Sequence, residues 1–313
     1  MTVRPQESSR QPREEDYVRY SPIVGRPPIR WPGGARVALW VVPNVEHYEY
    51  LPPHNPYRNS WGRTPQPDVF NYGARDFGNR VGFWRMNEVF ERHGIRPTVS
   101  LNVAVLRHFP EIRDVMRDGE WDVMSHGIYN TRYLFGATED EERAFYAEVN
   151  QTVAELMGRE VKGMLGPAFT ATARTPALMA EAGLIYHADW FIDDQPFPID
   201  VPKGTLVGLP YSRDINDSLV LTLPGLESDD FAQMCCDQFD VLYEEGATSG
   251  RVMCIALHPY QLGHAQRIGH LDEALRYVMS HEGVWMATGS EIAEWYIEQH
   301  RDEHLAALQA ATR

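Results

Sequence analysis

A nearly unbroken apolar run at residues 35–43, Ala-Arg-Val-Ala-Leu-Trp-Val-Val-Pro, limits how this chain can fold. It follows the turn-forming Trp31-Pro32-Gly33-Gly34 and shows no alternation of polar and apolar residues. A strand with one wet face alternates, whereas a strand covered on both faces does not. The run therefore predicts a central strand in a sheet layered by helices on both sides.

The rest of the chain repeats the pattern. Residues 81–93 carry Phe83, Trp84, Met86, Val89 and Phe90 at helical spacing and stop at Gly94, a C-cap signal. Strands are expected at 96–102, 121–125, 161–165, 186–190, 252–257 and 284–288. Helices are expected at 104–118, 139–157, 175–181 and 268–280, with a last one at the C-terminus. Strand and helix alternating this often imply a parallel sheet, in a closed barrel or a doubly wound form. Two stretches break the rhythm. Residues 46–77 are rich in Pro, Asn, Tyr and Gly without periodicity and read as a loop over an active site or subunit contact, with Tyr48, Tyr50, Tyr57 and Trp61 closing it. Residues 206–223 read as an inserted hairpin or rim. The expected organisation is a flexible arm at 1–20, one α/β domain at 21–300 and a tail at 301–313.

The 313 residues suffice for a large core, and 43% apolar with 23% charged residues is ordinary for a globular enzyme. A formal net charge of −15 argues against nucleic acid or an anionic membrane as partner. Cys235, Cys236 and Cys254 make neither a disulfide framework nor a zinc knuckle and are expected to be inert. With no apolar leader or span of about 20 apolar residues, the expected location is cytoplasmic.

In parallel α/β enzymes, catalytic side chains gather at the C-terminal ends of strands. Collecting polar residues there gives Asn44 and Glu46, His126 and Asn130, the turn Gly166-Pro167-Ala168-Phe169, Asp189, Asp193 and Asp194, and His258. His126-Gly-Ile-Tyr-Asn130 has the outline of a His-x-x-x-His metal pair with its second histidine replaced by asparagine, whose amide oxygen is a weaker ligand. Asn44 cannot act as a general base, because an amide has no useful proton affinity.

These segments resemble the NodB-homology or polysaccharide-deacetylase superfamily across roughly residues 20–300. The resemblance is closest to its branch of metal-independent allantoinases, cyclic-imide hydrolases and intracellular peptidoglycan-deacetylase-like proteins. It rests on Trp31-Pro32-x-x-Ala35-Arg36-Val37-Ala38, Asn44-Val45-Glu46, His126 to Asn130, Gly166 to Phe169, Tyr186 to Asp194, Leu257-His258-Pro259 with Gly263 and Arg267, and His281 to Trp285. It implies a distorted (β/α) barrel and a hydrolase of a C–N amide bond in a small cyclic imide, ureide or N-acyl compound. Glu46, His126 and His258 are then the expected catalytic residues, with His258 as general acid. Phe169, Arg267, Tyr129 and Pro167 are the expected substrate-binding residues. Glu46, His126 and Asn130 are the expected ligands if a Zn²⁺ or another divalent metal is held, which the residues leave open. The expected partner is a small-molecule substrate, and the resemblance implies a homo-oligomer, a tetramer. A deacetylase of N-acetylated sugars and a catalytically inactive binding member are the alternatives.

Overall fold

The computed structural model describes residues 12–53, 66–223 and 225–311. Nine strands run in chain order: β1 (Val37–Val45), β2 (Thr98–Leu101), β3 (Asp122–Ser125), β4 (Gly163–Met164), β5 (Tyr186–His187), β6 (Phe197–Ile199), β7 (Leu206–Gly208), β8 (Arg251–Leu257) and β9 (Val284–Met286). The helices are α1 (Val69–Phe77), α2 (Phe83–His93), α3 (Val105–His108), α4 (Pro110–Asp118), α5 (Glu139–Met157), α6 (Thr175–Glu181), α7 (Asp217–Thr222), α8 (Ser228–Glu245), α9 (Ile268–Met279), α10 (Gly289–Gln299) and α11 (Arg301–Ala311). The sheet order is β6-β7-β5-β4-β3-β2-β1-β8, with β9 beside the lower half of β1. Every pairing is parallel except β6 with β7.

All nine residues of β1 are buried, as its sequence requires. Alternate residues part to opposite faces, as the two-residue period of a strand dictates. Val37, Leu39 and Val41 join Phe83, Met86, Phe90 and Leu275 under the helices. Ala38, Trp40 and Val42 join Tyr186, Tyr211 and Ala256 inside the curl of the sheet. The sheet is thus a curled half-barrel with a packed interior, the distorted (β/α) barrel expected. Its open side, between β6 and β8, is bridged by Val252 N–H to the Asp194 carbonyl at 2.9 Å and by the Gln195 amide to the Gly250 carbonyl at 2.8 Å.

Several elements differ from the sequence expectation. Within 46–77, Asp68 caps a helix, its carboxylate accepting the Asn71 N–H at 3.1 Å, and α1 follows. A π-helical turn, Gly78–Gly82, then joins α1 to α2. Tyr57 and Trp61 lie outside the described residues. Residues 104–118 form two helices, because Pro110 cannot continue the first. The segment 206–223 is not a hairpin: β7 pairs with β6, and Asn216 caps α7 through the Leu219 N–H at 3.2 Å. At the C-terminus α11 is docked, with His304 3.0 Å from the Pro27 carbonyl and 2.9 Å from the Tyr296 hydroxyl. Tyr17, in the expected arm, is buried. Among the described residues no helix is long and apolar enough to cross a membrane.

Candidate active site

The inner-face alternation of the strands continues past their ends and delivers the site. On β1, Trp40 and Val42 are followed at the same two-residue step by Asn44 and Glu46. On β3, Met124 leads to His126, and on β8, Cys254 and Ala256 lead to His258. Glu46, His126 and His258 are all buried, and they meet above the packed interior.

One oxygen of Glu46 is the hub. Its Oε1 lies 3.6 Å from His126 Nε2 and 3.7 Å from His258 Nε2. The other nitrogen of each ring is already engaged. His126 Nδ1 lies 3.0 Å from the Leu165 carbonyl, which can only accept, so Nδ1 carries the proton. His258 Nδ1 lies 2.6 Å from Asp217 Oδ1. Asp217 Oδ2 accepts the backbone N–H of His258 at 2.8 Å, so the carboxylate grips both ring and main chain. Each neutral ring therefore turns an Nε2 lone pair toward the same carboxylate oxygen. Three acceptors facing one another suit a water that donates both of its protons, or an added proton on one ring.

The other oxygen of Glu46 is occupied by donors. Arg75 Nε lies 3.1 Å from Oε2, and the Asn130 amide nitrogen donates to the same atom. The Asn79 amide holds the Glu46 backbone carbonyl at 2.8 Å. Burial opposes ionisation of Glu46, but His126, which donates from Nε2 and carries charge when protonated, and the charges of Arg75 and of protonated His258 outweigh it and lower its pKa to about 2. Glu46 is a carboxylate at any working pH, which makes it an orienting anion and a poor proton acceptor. Asn44 is structural: its amide donates to the Tyr211 hydroxyl at 2.8 Å and the Leu257 carbonyl at 3.1 Å.

The expected metal set does not fit a resident divalent ion. Asn130 presents its N–H₂ and not its oxygen to Glu46, and the guanidinium of Arg75 already neutralises that carboxylate. Of that expected set Glu46 Oε1 and His126 Nε2 remain, two ligands where zinc sites use three or four. Among the described residues no group of three His, Cys, Asp or Glu is arranged to hold a metal.

The expected substrate-binding residues divide. Pro167 lies against Gly127, the residue after His126, where an added Cβ would come within 2.7 Å of the Pro167 ring. Phe169 stacks edge-on with Phe191 at 5.1 Å and with Tyr211 at 6.2 Å, and Tyr211 in turn holds Asn44. In this turn Ala168 and Phe169 both take positive φ, 53° and 55°. The Gly166 N–H is bound to Asp189 Oδ1 at 2.7 Å and the Phe169 N–H to the Gly166 carbonyl at 2.8 Å. Tyr129 packs 5.6 Å from His47 at the rim, next to Asn130. Arg267 is spent within its own loop, 3.3 Å from Gln261 Oε1, and makes no hydrogen bond or ion pair with the Glu46 centre. Asp193 is paired with Arg26 on the far side of the fold.

Arg75 and Asp217 escaped the sequence reading. Both come from helices, α1 and α7, so a search confined to strand ends passes over them. The Asp68-x-x-Asn71 cap was the available signal for α1. Burial pushes the thiols of Cys235 and Cys254 up, away from reactivity.

No family model matches the chain. A Schizosaccharomyces pombe protein with a provisional polysaccharide deacetylase name is 28% identical over 246 residues, covering 72% of this chain and 75% of that one. The Helicobacter pylori peptidoglycan deacetylase is 22% identical over 274 residues, covering 77% and 92%. Among solved structures, a probable polysaccharide deacetylase from Pseudomonas aeruginosa PAO1 superposes with a TM-score of 0.76 at 28% identity, over 88% of this chain and 95% of that one. The PuuE allantoinase superposes with a TM-score of 0.77 at 27% identity, over 90% and 99%. Fold and likeness together define a hydrolase of carbon–nitrogen bonds other than peptide bonds. In sequence and fold the chain is similar to proteins of the polysaccharide deacetylase superfamily.

Proposed function

We propose that this chain opens a small cyclic imide or ureide by hydrolysis of its amide C–N bond, with no metal in the step. The observation that carries the reading is the pair of histidines, each held at Nδ1, that aim Nε2 at one oxygen of a charge-compensated carboxylate. Two imidazoles so placed can divide the work of base and acid.

A water between Glu46 Oε1 and His126 Nε2 has its lone pair free for attack. As its oxygen bonds to the substrate carbonyl carbon, His126 Nε2 takes a proton and the carbonyl becomes an oxyanion. Of the Gly166 to Phe169 turn, the Ala168 N–H is the donor left over to face that oxyanion. His258 enters the cycle with Nε2 protonated, its charge balanced by Asp217. It gives that proton to the departing nitrogen as the C–N bond breaks. The product is a carboxylic acid and an N–H group, and solvent returns a proton from His126 to His258.

The experiment is turnover of succinimide, hydantoin, allantoin and N-acetylglucosamine by the purified protein, before and after chelation. Ring opening of a cyclic substrate that survives chelation is expected. Turnover of N-acetylglucosamine alone would move the assignment to a sugar deacetylase, the activity that the names of the two curated relatives favour. No turnover on the panel would point to an inactive binding member, and loss on chelation restored by zinc would overturn the metal-free step. The homo-oligomer remains a proposal that light scattering on the eluting protein tests directly.

A further inference from the structure

Arg75 is placed as more than a counter-ion. Its Nε holds Glu46 Oε2 at 3.1 Å, and Nη1 reaches Asn71 Oδ1 at 3.4 Å, the outer limit for a hydrogen bond. Nη2 has no hydrogen-bond partner among the described residues. The guanidinium plane is fixed by two aromatic rings, with its carbon 4.4 Å from the Tyr260 ring centre and 5.1 Å from that of Tyr48. The side chain is only 18% exposed.

The helix that carries it is also fixed. Asp68 caps the start of α1, and the π turn at its end lies against the loop after His258. A Cβ on Gly82 would run into the Pro259 carbonyl, and one on Gly78 would lie 3.0 Å from the Tyr260 nitrogen. The backbone bearing His258 and the helix bearing Arg75 are therefore in direct contact. Across the Glu46 carboxylate, Arg75 sits on one oxygen and both Nε2 atoms on the other. A cation held that rigidly, one carboxylate away from the reacting atoms, still has N–H groups to give.

We propose that Arg75 is a catalytic residue whose Nη2–H donates to the carbonyl oxygen of the bound amide and stabilises the oxyanion, while Nε remains on Glu46. The guanidinium thereby supplies the positive charge that a divalent ion supplies in a metallohydrolase. No bond is made or broken on Arg75, and it keeps all its protons through the cycle. The inference rests on the hydrolase reading above and assigns the oxyanion a charged donor beside the Ala168 N–H.

The test uses the full chain and the substrate that the wild type turns over. Arg75→Ala is expected to lower kcat by about 10²- to 10³-fold, the loss typical of one oxyanion donor. Guanidinium at about 50 mM should restore at least about tenfold of it, because the free ion can refill the fork, whereas ammonium and zinc should not. Arg75→Lys keeps a positive charge against Glu46 and guards against misfolding, and its kcat should still fall by about 10²-fold, since an ammonium lacks the planar fork. Melting curves establish that each variant is folded. Wild-type kcat in folded Arg75→Ala, or a loss that guanidinium leaves unchanged, overturns the assignment. If the wild type itself turns over nothing, it is the hydrolase reading that fails.

Discussion

Asp217 and His258 are joined twice, with Oδ1 2.6 Å from the ring Nδ1 and Oδ2 accepting the backbone N–H at 2.8 Å. The double grip sets both the position and the tautomer of the ring, so Nε2 is the atom left to exchange protons with the substrate. Asp217 is fully buried at the first turn of α7. Asp217→Asn can keep the shape but can place an N–H against Nδ1, which reverses the tautomer. A fall in kcat of about 10³-fold or more is expected, with KM little changed. Steady-state kinetics together with a melting curve check it, and full activity in a folded variant would refute the role.

Glu46 makes the acid limb of stability. Its ordinary value of 4.5 falls to about 2 in the folded chain, so the folded state binds the proton less readily than the unfolded one. The contribution is fully present above pH 4.5 and is lost as pH falls from there to about 2. Its size is on the order of 3 kcal/mol. Urea titrations at pH 6 and pH 2.5 should show the wild type losing that much more than Glu46→Gln, and parallel losses would contradict it.

His47 acts in a neighbouring window. Burial and then the charge of His108, whose ring lies 4.3 Å away, lower its pKa from 6.5 to about 4. The unfolded chain takes up this proton first, so stability declines as pH falls from 6.5 to about 4. His47→Gln should flatten the unfolding midpoint across that interval. A slope unchanged from wild type would show that the ring does not titrate differently on folding.

Gly82 and Gly263 test the contact between the two halves of the site. A Cβ on either would strike the Pro259 carbonyl. Gly82→Ala should cost about 1–3 kcal/mol through overpacking and should lower kcat as well, because the strain falls on the loop that follows His258. Gly73→Ala in α1, where a Cβ meets nothing, is the control and should leave kcat unchanged. Equal behaviour of the two variants would remove the coupling.

The parts legible in the sequence are those where one physical signal acts alone. The doubly covered run of β1 is such a case. So is α5, whose ends at 139 and 157 match, because Thr138 and Glu141 form a reciprocal cap and Gly158 takes φ 66°. Glu46, His126 and His258 were reachable because each extends the inward-facing alternation of its strand by one step. Helix α1 was hidden because Gly73 and a mix of aromatic and polar residues blur its period, and α7 because six residues are too few to show one. Arg75 and Asp217 went unseen for that reason. Arg267 makes its hydrogen bonds to its neighbour Gln261, a partner it meets only through a loop path that local sequence does not encode.

The π turn at Gly78–Gly82 has a consequence for how this site can change over generations. A π turn is an α-helix with one residue inserted, and each residue of an α-helix advances it by about 100°. The wide turn takes up that residue, so deleting one codon there would leave α2 packed in the core and Arg75 on Glu46, whereas one further deletion would swing the start of α1 by about a quarter turn and carry Arg75 away. The reverse insertion would bring it back. Once the wide turn is gone, a single in-frame indel could therefore switch this centre between holding its own cation and having to borrow one from solution.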